Sequence, residues 1–100
     1  MKYQKNSRTS YEASLAILDS ANTLRASVYR AIKTADKEGA TDEELQFRLQ
    51  MNPSTQRPRR VELVEMGVVK DSGMTRKTAS NRNAVVWIAS KSTEKQGELF

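Results

Sequence analysis

The chain of 100 residues is long enough for one domain with a modest hydrophobic core. It has no cysteine and no histidine, which excludes disulfides, thiolate metal sites and histidine-based catalysis. With 17 Lys and Arg against 12 Asp and Glu, the net charge is +5, which favours a polyanionic partner. The mean hydropathy is −0.71 and no apolar run approaches the ~20 residues that cross a bilayer, so no membrane partner is expected.

Residues 1–9 are basic and lack helical periodicity, which predicts a flexible basic arm. This start also lacks the apolar stretch of a secretory signal, so we expect a cytoplasmic protein. Residues 10–89 carry the periodic patterns of one domain, and residues 90–100 are expected to form a flexible tail.

Apolar side chains recur at helical spacing between residues 10 and 38. Thr9 and Glu12 have the spacing of a capping box, in which a hydroxyl and a carboxylate satisfy free amides at a helix start. Asn22 is a second candidate cap. The pattern allows one long helix but favours two helices with a break near Asn22, whose inward-facing residues are Tyr11, Leu15, Leu18, Leu24, Val28, Ile32 and Ala35.

Thr41 and Glu44 form another capping box, which predicts a short helix that closes near Met51 and Asn52. A turn over residues 53–55 then leads into a further helix, capped by Ser54 or Thr55 and ending at Glu65. Pro58 falls inside this helix and is tolerated if it lies close to the start, because the first amides there have no intrahelical acceptor.

After Gly67 the pattern changes to that of a β-hairpin. One strand is expected from Val68 to about Thr78, and the second over residues 84–89, with the polar residues 80–83 in the turn. Trp87 lies in the second strand, and we expect it to pack in the core, although an aromatic residue in a strand can also stack on a base.

The order of two helices across a tight turn followed by a hairpin, over residues 41–87, resembles winged helix-turn-helix regulators. The segments STQRPRRVEL and GMTRKT…NRNAVVW are similar to small phage-encoded proteins of this type. The resemblance implies an α+β, mostly helical fold: a winged helix-turn-helix with an extra N-terminal helix and a C-terminal β-hairpin wing. Pro58, and Asn83 in place of a hairpin glycine, depart from the family pattern.

In this family the second helix of the pair reads double-stranded DNA and the wing grips phosphate or the minor groove. Val61 and Val64 are expected to face the core, with Leu63 partly buried. The DNA-binding residues expected on the opposite face and on the wing are Ser54, Thr55, Gln56, Arg57, Arg59, Arg60, Arg76, Lys77 and Arg82. The alternatives are a solvated basic face and charges that protect an edge strand.

Acidic residues 42–44 suggest a metal or catalytic cluster, but the helix dipole and the cap explain them sufficiently. No nucleophile–base pair and no phosphate-binding glycine loop are visible, so we expect neither catalysis, cofactor nor metal.

The final pentapeptide QGELF resembles the motif by which bacterial proteins bind the DNA polymerase sliding clamp. The matching residues are Gln96, Leu99 and Phe100, and the resemblance implies that Leu99 and Phe100 fill an apolar clamp pocket. Gly97 and Glu98 depart from the usual motif. The alternative is that Phe100 folds back and covers an edge of the core.

Together these features predict a DNA-binding accessory or regulatory protein, encoded by a phage or mobile element, which acts in DNA replication through a clamp tether. The alternatives are a winged-helix transcription regulator and an inhibitor of a host replication protein that binds no DNA. A homodimer through the N-terminal helices is left open.

Overall fold

The computed structural model describes residues 7–90, with side chains from residue 12 onward. The fold is α+β and mostly helical, with four α-helices and one antiparallel hairpin among the described residues. The helices are α1 (Ser7–Ser20), α2 (Leu24–Ala35), α3 (Asp42–Leu49) and α4 (Pro53–Glu65), and a 3-10 turn (Asp36–Glu38) follows α2. The strands are β1 (Val69–Lys77) and β2 (Asn83–Ala89).

The N-terminal segment forms two helices rather than one, as the sequence favoured. The cap of α2 is Thr23, whose hydroxyl accepts a hydrogen bond from the Ala26 amide at 3.1 Å, so the prediction of Asn22 was wrong by one residue. Thr9 does not cap α1, because the helix already includes Ser7. The Tyr11 side chain lies outside the described side chains.

The core is built around α2, whose Val28 and Ile32 are fully buried. Leu18 packs there from α1, as the helical spacing predicted. Leu24 was expected inward as well, but as the first residue of α2 it is half exposed. The remaining buried aliphatic and aromatic residues of the cluster are Ala26, Tyr29, Ala40, Leu45, Leu63, Val68 and Val69.

The capping box that opens α3 is confirmed. The Thr41 hydroxyl accepts from the Glu44 amide at 3.2 Å, and the Thr41 amide donates to the Glu44 carboxylate at 3.0 Å. The helix ends at Leu49, and its C-cap Gln50 has a left-handed backbone with φ 55° and ψ 46°. This residue reverses the chain within a few positions, so α3 and α4 are neighbours across a tight turn.

The start of α4 differs from the prediction. Its N-cap is Asn52, whose carbonyl accepts from the amides of Thr55 and Gln56, and neither Ser54 nor Thr55 caps the helix. Pro53 takes the first position, where a missing amide costs nothing. Pro58 is therefore deeper inside the helix than expected, and it removes the hydrogen bond that an amide there would donate to the Ser54 carbonyl.

The hairpin pairs Val69 with Ala89 at its base and Lys77 with Asn83 near its turn. The register shifts between Asp71 and Thr75, where β1 has two residues more than β2. A bulge of this kind bends the strand and increases its twist. The turn was predicted over residues 80–83, but Asn83 already belongs to β2. The left-handed residue of the turn is Asn81, with φ 66°, a conformation that asparagine tolerates better than most residues.

A short bridge attaches the hairpin to the helices. Ala40, just before α3, pairs with Trp87 of β2 through two hydrogen bonds, Ala40 N to Trp87 O at 3.0 Å and Trp87 N to Ala40 O at 2.8 Å. Trp87 is partly buried and packs against the core, as predicted. The hairpin is thus fixed relative to α3 and α4. None of the described helices is long and apolar enough to cross a membrane.

Candidate nucleic-acid interface

The outward face of α4 is not the face that the sequence predicted. Gln56 and Leu63 are fully buried, whereas Val61 is 41% exposed. Two positions seven apart lie on the same side of a helix, so Gln56 and Leu63 define the inward stripe. The exposed stripe contains Ser54, Arg57, Pro58, Val61 and Glu65. The expectation that Val61 faces the core and Gln56 faces outward was therefore wrong.

Gln56 is held in a buried polar network between α3 and α4. Its side-chain carbonyl accepts from Gln46 Nε2 at 2.9 Å, and its amide donates to Asp42 Oδ1 at 3.0 Å. A buried amide needs such partners, because an unsatisfied one costs ~1–3 kcal/mol. Gln56 therefore joins the two helices, and its fully buried amide is not available for adenine recognition.

Arg60 makes the strongest contacts in the same network. Its guanidinium donates to both oxygens of Asp42, at 3.0 Å from Nε and 2.7 Å from Nη2, and both side chains are only 16–17% exposed. The guanidinium also stacks on the Trp87 ring at 4.2 Å from its centroid. Arg60 thus connects α4 both to α3 and to β2. Among the described residues its role is structural.

Arg59 shares one carboxylate with an arginine of α2. It donates to Glu62 from Nε at 3.0 Å and from Nη2 at 2.9 Å, while Arg25 Nε donates to the same Glu62 at 3.1 Å. These hydrogen bonds, that from Arg59 above all, lower the pKa of Glu62. Two guanidiniums on one carboxylate leave this cluster with one net positive charge.

The Arg76 side chain of β1 contacts α3. Its guanidinium donates to both Glu44 oxygens, at 2.8 and 2.9 Å, and to the carbonyl oxygens of Glu38 and Gly39. The hydrogen bond to Arg76 lowers the pKa of Glu44, and the same bond raises the pKa of Arg76. Arg76 was predicted to cluster with Lys77 and Arg82 at the hairpin tip. It is instead bound to Glu44 of α3, so only Lys77 and Arg82 remain at the tip.

Three cations of the predicted set make no ion pair with any described side chain. Arg57 is exposed on α4, and Lys77 and Arg82 are exposed at the end of the hairpin. The hairpin turn is itself well held: Thr78 N donates to Arg82 O at 2.8 Å, and Ala79 N donates to Glu43 of α3 at 3.0 Å. The backbone that carries Lys77 and Arg82 is thus positioned by hydrogen bonds.

The acidic residues at the start of α3 do more than the sequence indicated. Glu44 completes the cap, but each of the three also fixes another element: Asp42 holds α4, Glu43 holds the hairpin turn and Glu44 holds β1. The helix dipole alone does not explain this division. Within residues 7–90 they do not converge as a group that could hold a metal ion.

The predicted clamp-binding residues Gln96, Leu99 and Phe100 lie outside the described residues, as does most of the basic arm. Comparison with family models, curated proteins and solved structures finds no significant match for this chain.

Proposed function

We propose that the domain is a winged helix-turn-helix that binds double-stranded DNA through the exposed face of α4 and the end of the hairpin. The observation that carries this proposal is that Arg57, Lys77 and Arg82 keep exposed charges without a described ion-pair partner, while the other cations of α4 and β1 from the predicted set are neutralised within the fold. Cations that are not neutralised internally are the ones available to phosphates.

The arrangement of elements supports the same proposal. α3 and α4 are joined by a tight turn, and the bridge from Ala40 to Trp87 fixes the hairpin beside them. In a helix-turn-helix the residues near the start of the second helix contact base edges. Ser54 and Arg57 occupy that position here, and an arginine can donate two hydrogen bonds to guanine. Lys77 and Arg82 then contact phosphate.

Three residues of the predicted set have a positioning role in this proposal: Gln56, Arg60 and Arg76. They position the interface by fixing α4 and the hairpin to α3, and do not read DNA themselves. Arg59 is paired with Glu62 beside Arg25 and is given no DNA contact in this proposal.

Removal of the hairpin cations tests the proposal. The Lys77→Ala, Arg82→Ala double variant should weaken binding to all duplexes alike and reduce the slope of log affinity against log salt by about two, one for each phosphate contact. Fluorescence anisotropy with a labelled duplex measures both effects. The matched control is Arg25→Ala, Lys33→Ala on α2, which removes the same charge from another element and should keep the slope of the parent. Equal slopes in the two double variants would contradict the proposal.

A protein-docking function is the second candidate, because Phe47 of α3 is 86% exposed and Val61 of α4 is 41% exposed. Exposed apolar side chains of this size are typical of protein interfaces. No binding to any duplex at low salt would favour this function, including the predicted role as an inhibitor of a replication protein. Clamp tethering through Gln96, Leu99 and Phe100 remains a prediction in either case.

A further inference from the structure

An open groove lies between the end of α1, the start of α2 and the second half of α4. Its volume is about 660 Å³, and its apolar lining includes Ile17, Leu18, Leu24 and Met66. Ile17 is 62% exposed and Leu24 is 50% exposed, although both are large aliphatic residues. Neighbouring exposed aliphatic residues of this kind indicate an interaction site.

The polar side of the groove is positive. Arg25 and Arg59 both line it, and both donate to the single carboxylate of Glu62, which leaves one charge in excess. The Arg25 side chain is 46% exposed and its second donor group reaches only the sulfur of Met66, at 4.0 Å. A ligand that combines large apolar side chains with a carboxylate is therefore complementary to this groove.

The chain leaves the described domain near Val68, a short distance along the sequence from the groove. The amide of Ser90 donates to Val68 O at 2.9 Å, and Val68 follows two residues after Met66, which lines the groove. The next ten residues, 91–100, span about 33 Å when extended, which is more than enough to cross a groove of this size. Their last three are Glu98, Leu99 and Phe100, the combination that the groove would accept.

We propose that the groove binds the tail of its own chain, with Leu99 and Phe100 against Ile17 and Leu24 and with Glu98 facing Arg25. Because the tail belongs to the same chain, docking is intramolecular and needs no high intrinsic affinity. The same two apolar residues cannot fill the groove and a pocket on another protein at the same time. The groove therefore competes with any external partner of the tail. This inference goes beyond DNA binding and does not depend on it.

Paramagnetic relaxation in the full-length protein tests the proposal. The chain has no cysteine, so Gly97→Cys provides a single site for a spin label. The reporters are the amides of Ser14 and Thr23, which line the groove and are unchanged in every variant. The label should broaden both signals strongly, and Ile17→Asp, Leu24→Asp should restore them. The double variant Leu99→Ala, Phe100→Ala should restore them as well. It is a second test, which changes the tail and leaves the groove intact.

Phe47→Asp is the matched control, since it places the same charge on an exposed apolar residue of α3. It should leave the broadening unchanged. The proposal is overturned if broadening spreads evenly over the surface, if it survives both the groove and the tail substitutions, or if Phe47→Asp alone removes it. It is also overturned if broadening appears only between a labelled chain and a second, isotope-labelled chain, because the occupant would then be another copy. Duplex affinity measured on the same variants keeps this outcome separate from that of the DNA-binding proposal.

Discussion

At the scale of single residues, the role of an arginine in this protein depends on whether a carboxylate lies beside it. Arg60 and Arg57 are three positions apart on α4, yet Arg60 is held by Asp42 and Trp87 while Arg57 is exposed without a described ion-pair partner. The sequence assigned both to DNA because both are basic and were expected on or near the outward face of the helix. Their contacts instead indicate that Arg60 supports the fold and that Arg57 is available to a ligand.

Substitution of Arg60 should therefore reduce stability. Arg60→Ala leaves the partly buried Asp42 without its main partner and removes the stack on Trp87, so we expect a loss of about 2–4 kcal/mol in the free energy of unfolding. Urea denaturation followed by circular dichroism measures it. Arg57→Ala is the control and should keep the stability of the parent while weakening duplex binding. If Arg60→Ala unfolds like the parent but loses DNA, then Arg60 reads DNA as the sequence suggested.

The pKa of Glu44 predicts a dependence of stability on pH. Arg76 holds the pKa of this carboxyl below its usual value of 4.5, so the ionised side chain stabilises the folded state above that value. The stabilisation is lost as the pH falls from about 4.5 through the lower, folded-state pKa, where Glu44 becomes protonated. Both side chains are more than a third exposed, which makes the effect modest.

Glu44→Gln removes this titration. Urea midpoints at pH 7 and pH 3.5 should therefore lie closer together in Glu44→Gln than in the parent, with Glu43→Gln as the control for one fewer acidic residue. A parent and a Glu44→Gln variant that lose the same stability on acidification would show that the ion pair with Arg76 contributes nothing measurable.

At the scale of elements, the attachment of the hairpin depends on Gly39. Its backbone is left-handed, with φ 63°, and an added Cβ would lie 2.5 Å from the Trp87 carbonyl oxygen and 2.6 Å from Val86 Cγ1. Only glycine lets the segment before α3 approach β2 closely enough to form the bridge at Ala40. Gly67 also has a positive φ, of 81°, but nothing lies within 4 Å of the position of its Cβ.

These two glycines form a matched pair for mutation. Gly67→Ala should lower the free energy of unfolding only by the strain of a left-handed alanine, about 1–2 kcal/mol. Gly39→Ala should cost at least about 2 kcal/mol more, because the clash is with a backbone atom and forces β2 away. Urea denaturation of the two variants compares them directly. Equal losses would mean that the bridge is not a close packing contact.

The elements themselves could be predicted where the signal is local. The capping box at Thr41, the two N-terminal helices and the hairpin were all predicted, since each depends on neighbouring residues. The orientation of α4 could not be predicted from the sequence. Its only large aliphatic residues are Val61, Leu63 and Val64, and they do not define one face. Its inward stripe includes Gln56 and Arg60, whose partners on α3 are 14 and 18 positions away. No local pattern indicates such pairs.

At the scale of the whole molecule, several carboxylates join one element of the domain to another. Asp42, Glu44 and Glu62 each neutralise an arginine within the domain. Of the cations predicted to bind DNA, Arg57 on α4 and Lys77 and Arg82 at the end of the hairpin remain without a described ion-pair partner. The DNA-binding proposal places the duplex across these two elements.

A nuclear magnetic resonance titration of the full-length protein with a short duplex tests the DNA-binding proposal most directly, because it locates the interface without mutation. The proposal predicts amide shift changes concentrated at Ser54, Arg57, Lys77 and Arg82, which weaken together as salt is added. The amides of Ser14 and Thr23, on the groove beside α1 and α2, should not move. An absence of changes at low salt, or changes confined to the surface around Phe47, would contradict it.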